Sequence, residues 1–287
     1  TSAVTFPSTG IFAGQGALIN IAGENAGQMV VEQRVGQYIT LARNGFSGFP
    51  VSLMGSIAYV RQVFLDLDHY QQAKDLYAKQ PKGLERPAYD RALEGLLDSP
   101  RILLPAVSGV EISRMIRFSK ELKRPTILYG GLEAYQLAEV LAQENTPILV
   151  TLKWPEPVKD QDPLLEESFR SLEMRDKAPG SPAALAKAGA KFAFYTDGSE
   201  TPLKSVRRSI EAGLTKEQAV RALTLSTAEI YGLADRLGSI DKGKIANLVV
   251  TKGDLFVEKP EIQMVVIDGV RYEPQPLTAP AKPEAAQ

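Results

Sequence analysis

Ile102-Leu103-Leu104-Pro105-Ala106-Val107, Thr126-Ile127-Leu128-Tyr129 and Ile148-Leu149-Val150-Thr151-Leu152 decide the fold. Each is a short and almost wholly apolar run, the composition of a strand covered on both faces. Helical patterns separate them: Pro87–Leu97 before the first, Val110–Leu122 before the second and Glu133–Gln143 before the third. The strand starts at 102, 126 and 148 stand 24 and 22 residues apart. That spacing predicts successive βα units with parallel strands. Ser108 marks one helix start, and Gly130-Gly131 the turn that leads to the next.

Downstream, the alternation pauses over Lys153–Pro179, a charged stretch carrying Pro155, Pro157, Pro163 and Pro179. Structureless loops of such length are uncommon unless they serve a function. A short helix around Leu164–Met174 is predicted within it. Another unit follows: a helix over Pro182–Ala188, a strand over Lys191–Thr196, then helices from Pro202, Lys216 and Thr227. Thr201 before Pro202 reads as an N-cap with proline at the first helical position. Short strands are predicted at Leu248–Thr251, Met264–Ile267 and Val270–Tyr272, with Asp268-Gly269 as a hairpin turn. The tail from Pro274, rich in Pro and Ala, reads as disordered.

Upstream, Ile57, Val60, Phe64 and Leu67 form one stripe of an amphipathic helix over Ile57–Ala78. His69 lies five residues after Phe64, about 140° further around the helix, and so faces solvent. Asp66 and Asp68 read as part of the same solvated face. Gly14-Gln15-Gly16 lacks the third glycine and the following helix of a phosphate loop, so tight-turn chemistry is the simpler reading. A strand is predicted over Ala17–Ile21. The chain opens on another strand-like run, Ala3–Phe6, and an unpaired opening strand predicts further chain ahead of Thr1.

Composition removes several function classes. Among 287 residues there is no cysteine and a single histidine, with 33 basic and 34 acidic side chains. Without Cys there is no disulfide framework, thiolate zinc site or cysteine nucleophile. One histidine cannot build an HxH pair or a multi-histidine centre, so no metal ligand set is assigned to this chain. The net charge of −1 offers no electrostatic reason for a nucleic-acid partner or an anionic membrane surface. No apolar run approaches the ~20 residues of a membrane span.

Leu223-Thr224, Ala228-Glu229-Ile230-Tyr231-Gly232-Leu233 and Leu237-Gly238-Ser239-Ile240-Asp241-Lys242-Gly243-Lys244-Ile245-Ala246-Asn247-Leu248-Val249-Val250 resemble the carboxyl-terminal signature of the amidohydrolase superfamily. Val265-Val266-Ile267-Asp268-Gly269 is similar to its closing hairpin. Phe12-Ala13-Gly14-Gln15-Gly16-Ala17 and Arg61-Gln62-Val63-Phe64-Leu65-Asp66 resemble the imidazolonepropionase-like branch. The resemblance implies an α/β fold: a (β/α)8 TIM-type barrel, lacking its first strand here, plus the C-terminal part of a small β-sandwich. The corresponding division is residues 1–235 for the barrel, 236–274 for the sandwich segment and 275–287 for a disordered tail.

Departures from that family govern the functional expectation. The resemblance implies divalent-metal ligands on the first strand and after the fifth, sixth and eighth. Leu104-Pro105-Ala106-Val107 stands at the fifth-strand position and Leu128-Tyr129-Gly130-Gly131 at the sixth. Asp197, in Tyr195-Thr196-Asp197-Gly198, matches the eighth. Asn247 replaces the family's usual aspartate, at a position read as structural. Metal coordination lowers a water's pKa from about 15.7 to about 7, or ~12 kcal/mol of hydroxide stabilisation. A carboxylate acting alone as general base contributes only about 10²–10⁴-fold.

Asp197 is therefore the candidate catalytic residue, with a turn-capping role as its alternative. Tyr129 and Lys153 are the candidate substrate-binding residues. The alternatives are that Tyr129 packs where a metal would sit, its hydroxyl bonded, and that Lys153 is an exposed loop lysine. Trp154 either stacks on a ligand or packs its loop.

The expectation is an amidohydrolase-like protein without independent C–N hydrolysis, serving as a pseudoenzyme-like binding or assembly subunit for a small molecule. A homo-oligomer or a complex with a catalytic paralogue fits that role. The alternative is a residual hydrolase of small cyclic amides, using Asp197 with ligands from an upstream segment. No cofactor comes from this chain, and zinc or another divalent metal enters only under that alternative. The branch and the missing cysteines favour a periplasmic or secreted location over the cytoplasm.

Overall fold

The apolar runs become the parallel strands of one seven-stranded sheet. The computed structural model describes residues 1–41, 48–157, 166–199 and 201–273. The strands are β1 (Ser2–Val4), β2 (Phe12–Asn20), β3 (Val30–Ile39), β4 (Ile102–Ala106), β5 (Thr126–Gly130), β6 (Ile148–Thr151) and β7 (Phe192–Tyr195), paired in chain order. Only β2 runs against its neighbours, and β3 to β7 are parallel throughout. Phe6, two residues beyond β1, stacks on Tyr195 at the end of β7 with ring centroids 5.1 Å apart. The two edges of the sheet thus curl towards each other, an α/β barrel of TIM type.

Alternation along the strands divides the core in two. Ile102, Leu104, Leu128, Ile148, Val150, Phe192 and Phe194 face the surrounding helices. Leu103, Ile127, Tyr129, Leu149 and Ala193 face the barrel interior, joined there by Ala228, Ile230 and Tyr231. The helix Leu53–Lys79 covers the outside with Val60, Phe64 and Leu67, while His69 is exposed on its far side. Ser108 and Glu111 close a capping box on the helix Gly109–Leu122, satisfying its first N–H groups.

Several expectations need correcting. The Gly14-Gln15-Gly16 stretch is not a turn: it lies inside β2, where the register shifts on both sides. Gly16 is required there because a Cβ would meet the Tyr38 ring at 2.5 Å. The strand β3 carries Glu32, Gln33, Arg34 and Gln37, whose polarity conceals it in the sequence. Glu133–Gln143 is a 3₁₀ turn (Ala134–Gln136) followed by the helix Ala138–Gln143. The helix sought around Leu164–Met174 is Phe169–Lys177, and residues 164 and 165 lie outside the described residues. Thr201 precedes the helix Pro202–Glu211 but makes no side-chain cap bond.

A second sheet holds β8 (Leu248–Lys252), β9 (Glu261–Ile267) and β10 (Val270–Tyr272), antiparallel in the order β10-β9-β8. Asp268 and Gly269 both have positive φ, +50° and +80°, the left-handed pair that a two-residue hairpin turn needs. Asn247 ties this hairpin to the barrel: its Nδ2 donates to Asn20 Oδ1 at 2.8 Å, and its Oδ1 accepts from the Asp268 N–H at 2.8 Å. The tail expected to be disordered lies outside the described residues. Among the described residues no helix is long and apolar enough to cross a membrane.

Candidate functional site

Parallel strands place their carboxyl ends at one mouth, the face where barrels of this type carry chemistry. The residues following β4 to β7 there surround a cleft of about 480 Å³, within the usual range for small-molecule sites. Its walls are Val107, Leu132, Trp154, Pro155 and Tyr195; Thr151, Lys153, Glu156 and Asp197 supply the polar groups. Trp154 is buried, with its indole N–H donating to the Ser205 carbonyl at 2.9 Å, which holds the ring rigidly against the cleft.

Asp197 adopts the left-handed conformation, φ +48°, with Gly198 following at +73°. Aspartate tolerates this region better than most side chains. The turn closes through the Ser199 N–H to the Thr196 carbonyl, 2.7 Å. Thr151, the only polar residue of β6 and almost wholly buried, links the two sides of the site. Its hydroxyl donates to Asp197 Oδ2 at 3.0 Å and accepts from the Lys153 N–H at 3.0 Å. Glu156 at the rim pairs with Arg208. Asp197 has no cationic partner among the described residues.

Beneath the cleft lies a layer of four aromatic side chains, three from alternate strands and Phe6 from just beyond β1. Phe6 packs on Tyr38 of β3, Tyr129 of β5 and Tyr195 of β7, with centroids 4.3, 4.9 and 5.1 Å away. Such layers, built from every second strand, fill the interior of closed barrels. The Tyr129 hydroxyl donates to the Ile39 carbonyl at 2.8 Å. The Tyr38 and Tyr231 hydroxyls meet at 3.0 Å, and the Arg101 guanidinium holds the Tyr231 carbonyl at 2.6 Å.

Burial pushes all four phenols upward. Tyr129 is raised by burial and then by the Asp197 charge; Tyr195 is raised by burial, by Asp197 and Tyr129, and by its bond to Asp197, with Thr151 opposing. Tyr38 is raised by burial and by Tyr231. Burial takes Tyr231 up to about 12, against opposing contributions from Tyr38 and Arg101. Folded-state values above the unfolded phenol's mean that this stabilisation is whole below about pH 10 and is lost as pH rises beyond it. An absorbance titration of tyrosinate should therefore show these phenols ionising late, together with loss of circular dichroism. Smooth ionisation of every tyrosine near pH 10 in folded protein would contradict the buried layer.

The divalent ion that the sequence resemblance implies finds a poor set of donors here. The strand ends offer Ala106, Gly130, Thr151 and Asp197, which amount to one carboxylate and one hydroxyl. Among the described residues no three His, Cys, Asp or Glu side chains converge. A catalytic zinc site takes three protein ligands, so these residues do not fit one.

Of the residues singled out from sequence, Asp197 and Lys153 share the cleft, whereas Tyr129 is outside its lining, with its hydroxyl engaged by Ile39. Sequence reading missed Thr151, Tyr195 and Phe6. Thr151 carried a usable signal, as a hydroxyl ending an otherwise apolar strand.

Residues 138–271 match the Amidohydrolase family. An amidohydrolase from Thermotoga maritima superposes with a TM-score of 0.79 at 27% identity, covering 96% of this chain and 72% of that one. The imidazolonepropionase of Flavobacterium johnsoniae is 38% identical over 82 residues, and the adenine deaminase of Moorella thermoacetica 39% over 64. Those matches cover 26% and 22% of this chain but only 20% and 10% of the two relatives. Fold and sequence matches point the same way: residues 138–271 carry an Amidohydrolase family domain, and the chain is similar in fold to the Thermotoga maritima amidohydrolase and in part of its sequence to an imidazolonepropionase.

Proposed function

We propose that this amidohydrolase-like chain does not itself carry out metal-dependent C–N hydrolysis and acts as a pseudoenzyme-like binding or assembly subunit. One observation carries the reading: the aromatic layer of Phe6, Tyr38, Tyr129 and Tyr195 fills the interior behind Asp197, and the chain's one histidine, His69, is on an outer helix. A single carboxylate has neither the charge nor the geometry to replace a metal's effect on water pKa. A cleft with a rigid indole wall and a hydroxyl-anchored carboxylate suits binding. The partner in assembly would be a second copy or a paralogue with the full histidine set, and native mass spectrometry distinguishes the two.

The competing reading is a hydrolase of small cyclic amides with Asp197 as general base and metal ligands from an upstream segment. It is favoured by the position of Asp197 at a strand's carboxyl end, open to the cleft. Zinc loading, dialysis and elemental analysis decide between them, run beside an assay on a panel of cyclic amides. The expected result is well under one zinc per chain, the same for Asp197→Ala, and no turnover. Near-stoichiometric zinc that disappears with amidase activity in Asp197→Ala overturns the binding-subunit reading.

A further inference from the structure

The charge distribution of the cleft points to a class of ligand. Its walls are apolar, and two of them, Trp154 and Tyr195, are aromatic. Of its charged groups, Glu156 is paired with Arg208, while Lys153 and Asp197 are both exposed and neither forms an ion pair among the described residues. Asp197 is bonded to Thr151, and Lys153 lines the same cleft. The Asp197 charge reaches inward, since it acts on Tyr195 in the wall and on Tyr129 behind it. Aromatic faces beside a carboxylate favour a cation over a neutral or anionic guest.

We propose that this cleft binds a small organic cation, its apolar body against Val107, Leu132, Trp154 and Tyr195 and its ammonium or amidinium group on the Asp197 carboxylate. This rests on the reading of the site as a binding site and names what it binds. No covalent step is involved.

Trp154 is the sole tryptophan of the chain, so its fluorescence reports the cleft directly. Three probes of similar shape and different charge separate the possibilities: benzylammonium, benzyl alcohol and benzoate. Saturable quenching by benzylammonium is expected, with the other two at least about tenfold weaker, a difference of ~1.4 kcal/mol. Asp197→Asn should reduce that preference to about threefold or less. Asparagine is also at home in the left-handed region, so the variant keeps the turn. Lys153→Ala, which removes a like charge from the same cleft, should strengthen benzylammonium binding, and a weakening would count against the proposal.

A preference for benzoate that Lys153→Ala abolishes would overturn the proposal. So would equal binding of all three probes, or the absence of saturation in calorimetry and fluorescence alike. These failures differ from failure of the binding-subunit reading, which is decided by zinc content and amide turnover whatever the probes do.

Discussion

Tyr129→Ala is expected to lower the free energy of unfolding by about 3–5 kcal/mol, the usual range for removing a buried aromatic ring. The ring is 9% exposed and packs edge-on to both Phe6 and Tyr195. Its loss opens a void between strands that are held in register on either side and cannot collapse into it. Tyr129→Phe keeps the ring and removes only the bond to the Ile39 carbonyl. The cost there should be about 1–3 kcal/mol, the desolvation of an acceptor left unsatisfied. Urea denaturation reads both as shifts of midpoint at unchanged slope. Against a total stability of about 5–15 kcal/mol the alanine variant stands close to unfolding at 37 °C. A loss under about 1 kcal/mol in Tyr129→Ala would mean that the layer is loosely packed and the interior has room for a guest.

Gly130→Ala is expected to be comparably damaging for a different reason. Gly130 has φ +123°, and a Cβ there would lie 2.8 Å from the Ala106 carbonyl oxygen, a backbone atom of the neighbouring strand. Relief requires β4 and β5 to part at the mouth of the cleft. Strain and overpacking together amount to about 2–6 kcal/mol. Gly198→Ala is the control, since φ is +73° but nothing lies within 4 Å of the added Cβ. Its cost should stay near the ~1–2 kcal/mol of placing an alanine in the left-handed region. Equal losses in the two variants, by thermal or urea melts, would show that backbone conformation and not the close approach of the strands governs Gly130.

The parallel strands were legible in the sequence because both of their faces are buried, so Leu103 and Leu104 are alike apolar although they face opposite layers. β3 was not, because Glu32, Gln33 and Arg34 precede the buried stretch Val35–Ile39 and mask it. The hairpin at Asp268-Gly269 was legible since only a few residue types accept two consecutive left-handed conformations. In the cleft, Asp197 and Lys153 could be placed from their positions at strand ends. The aromatic layer could not: Phe6 and Tyr195 are 189 positions apart, and only closure of the sheet brings them face to face. Nothing local in Ala3–Phe6 shows that its phenylalanine will lie inside the barrel.

The same layer bears on the evolutionary future of the scaffold. Under the proposed reading, an imidazole-lined centre built within this chain would require exchanging several large rings at once. Each exchange made alone hollows the interior before any ion is present to compensate. Intermediates on that route would be too unstable to persist, so the present occupancy acts as a ratchet, and change at the rim, around Lys153 and Glu156, is the open road to new specificity.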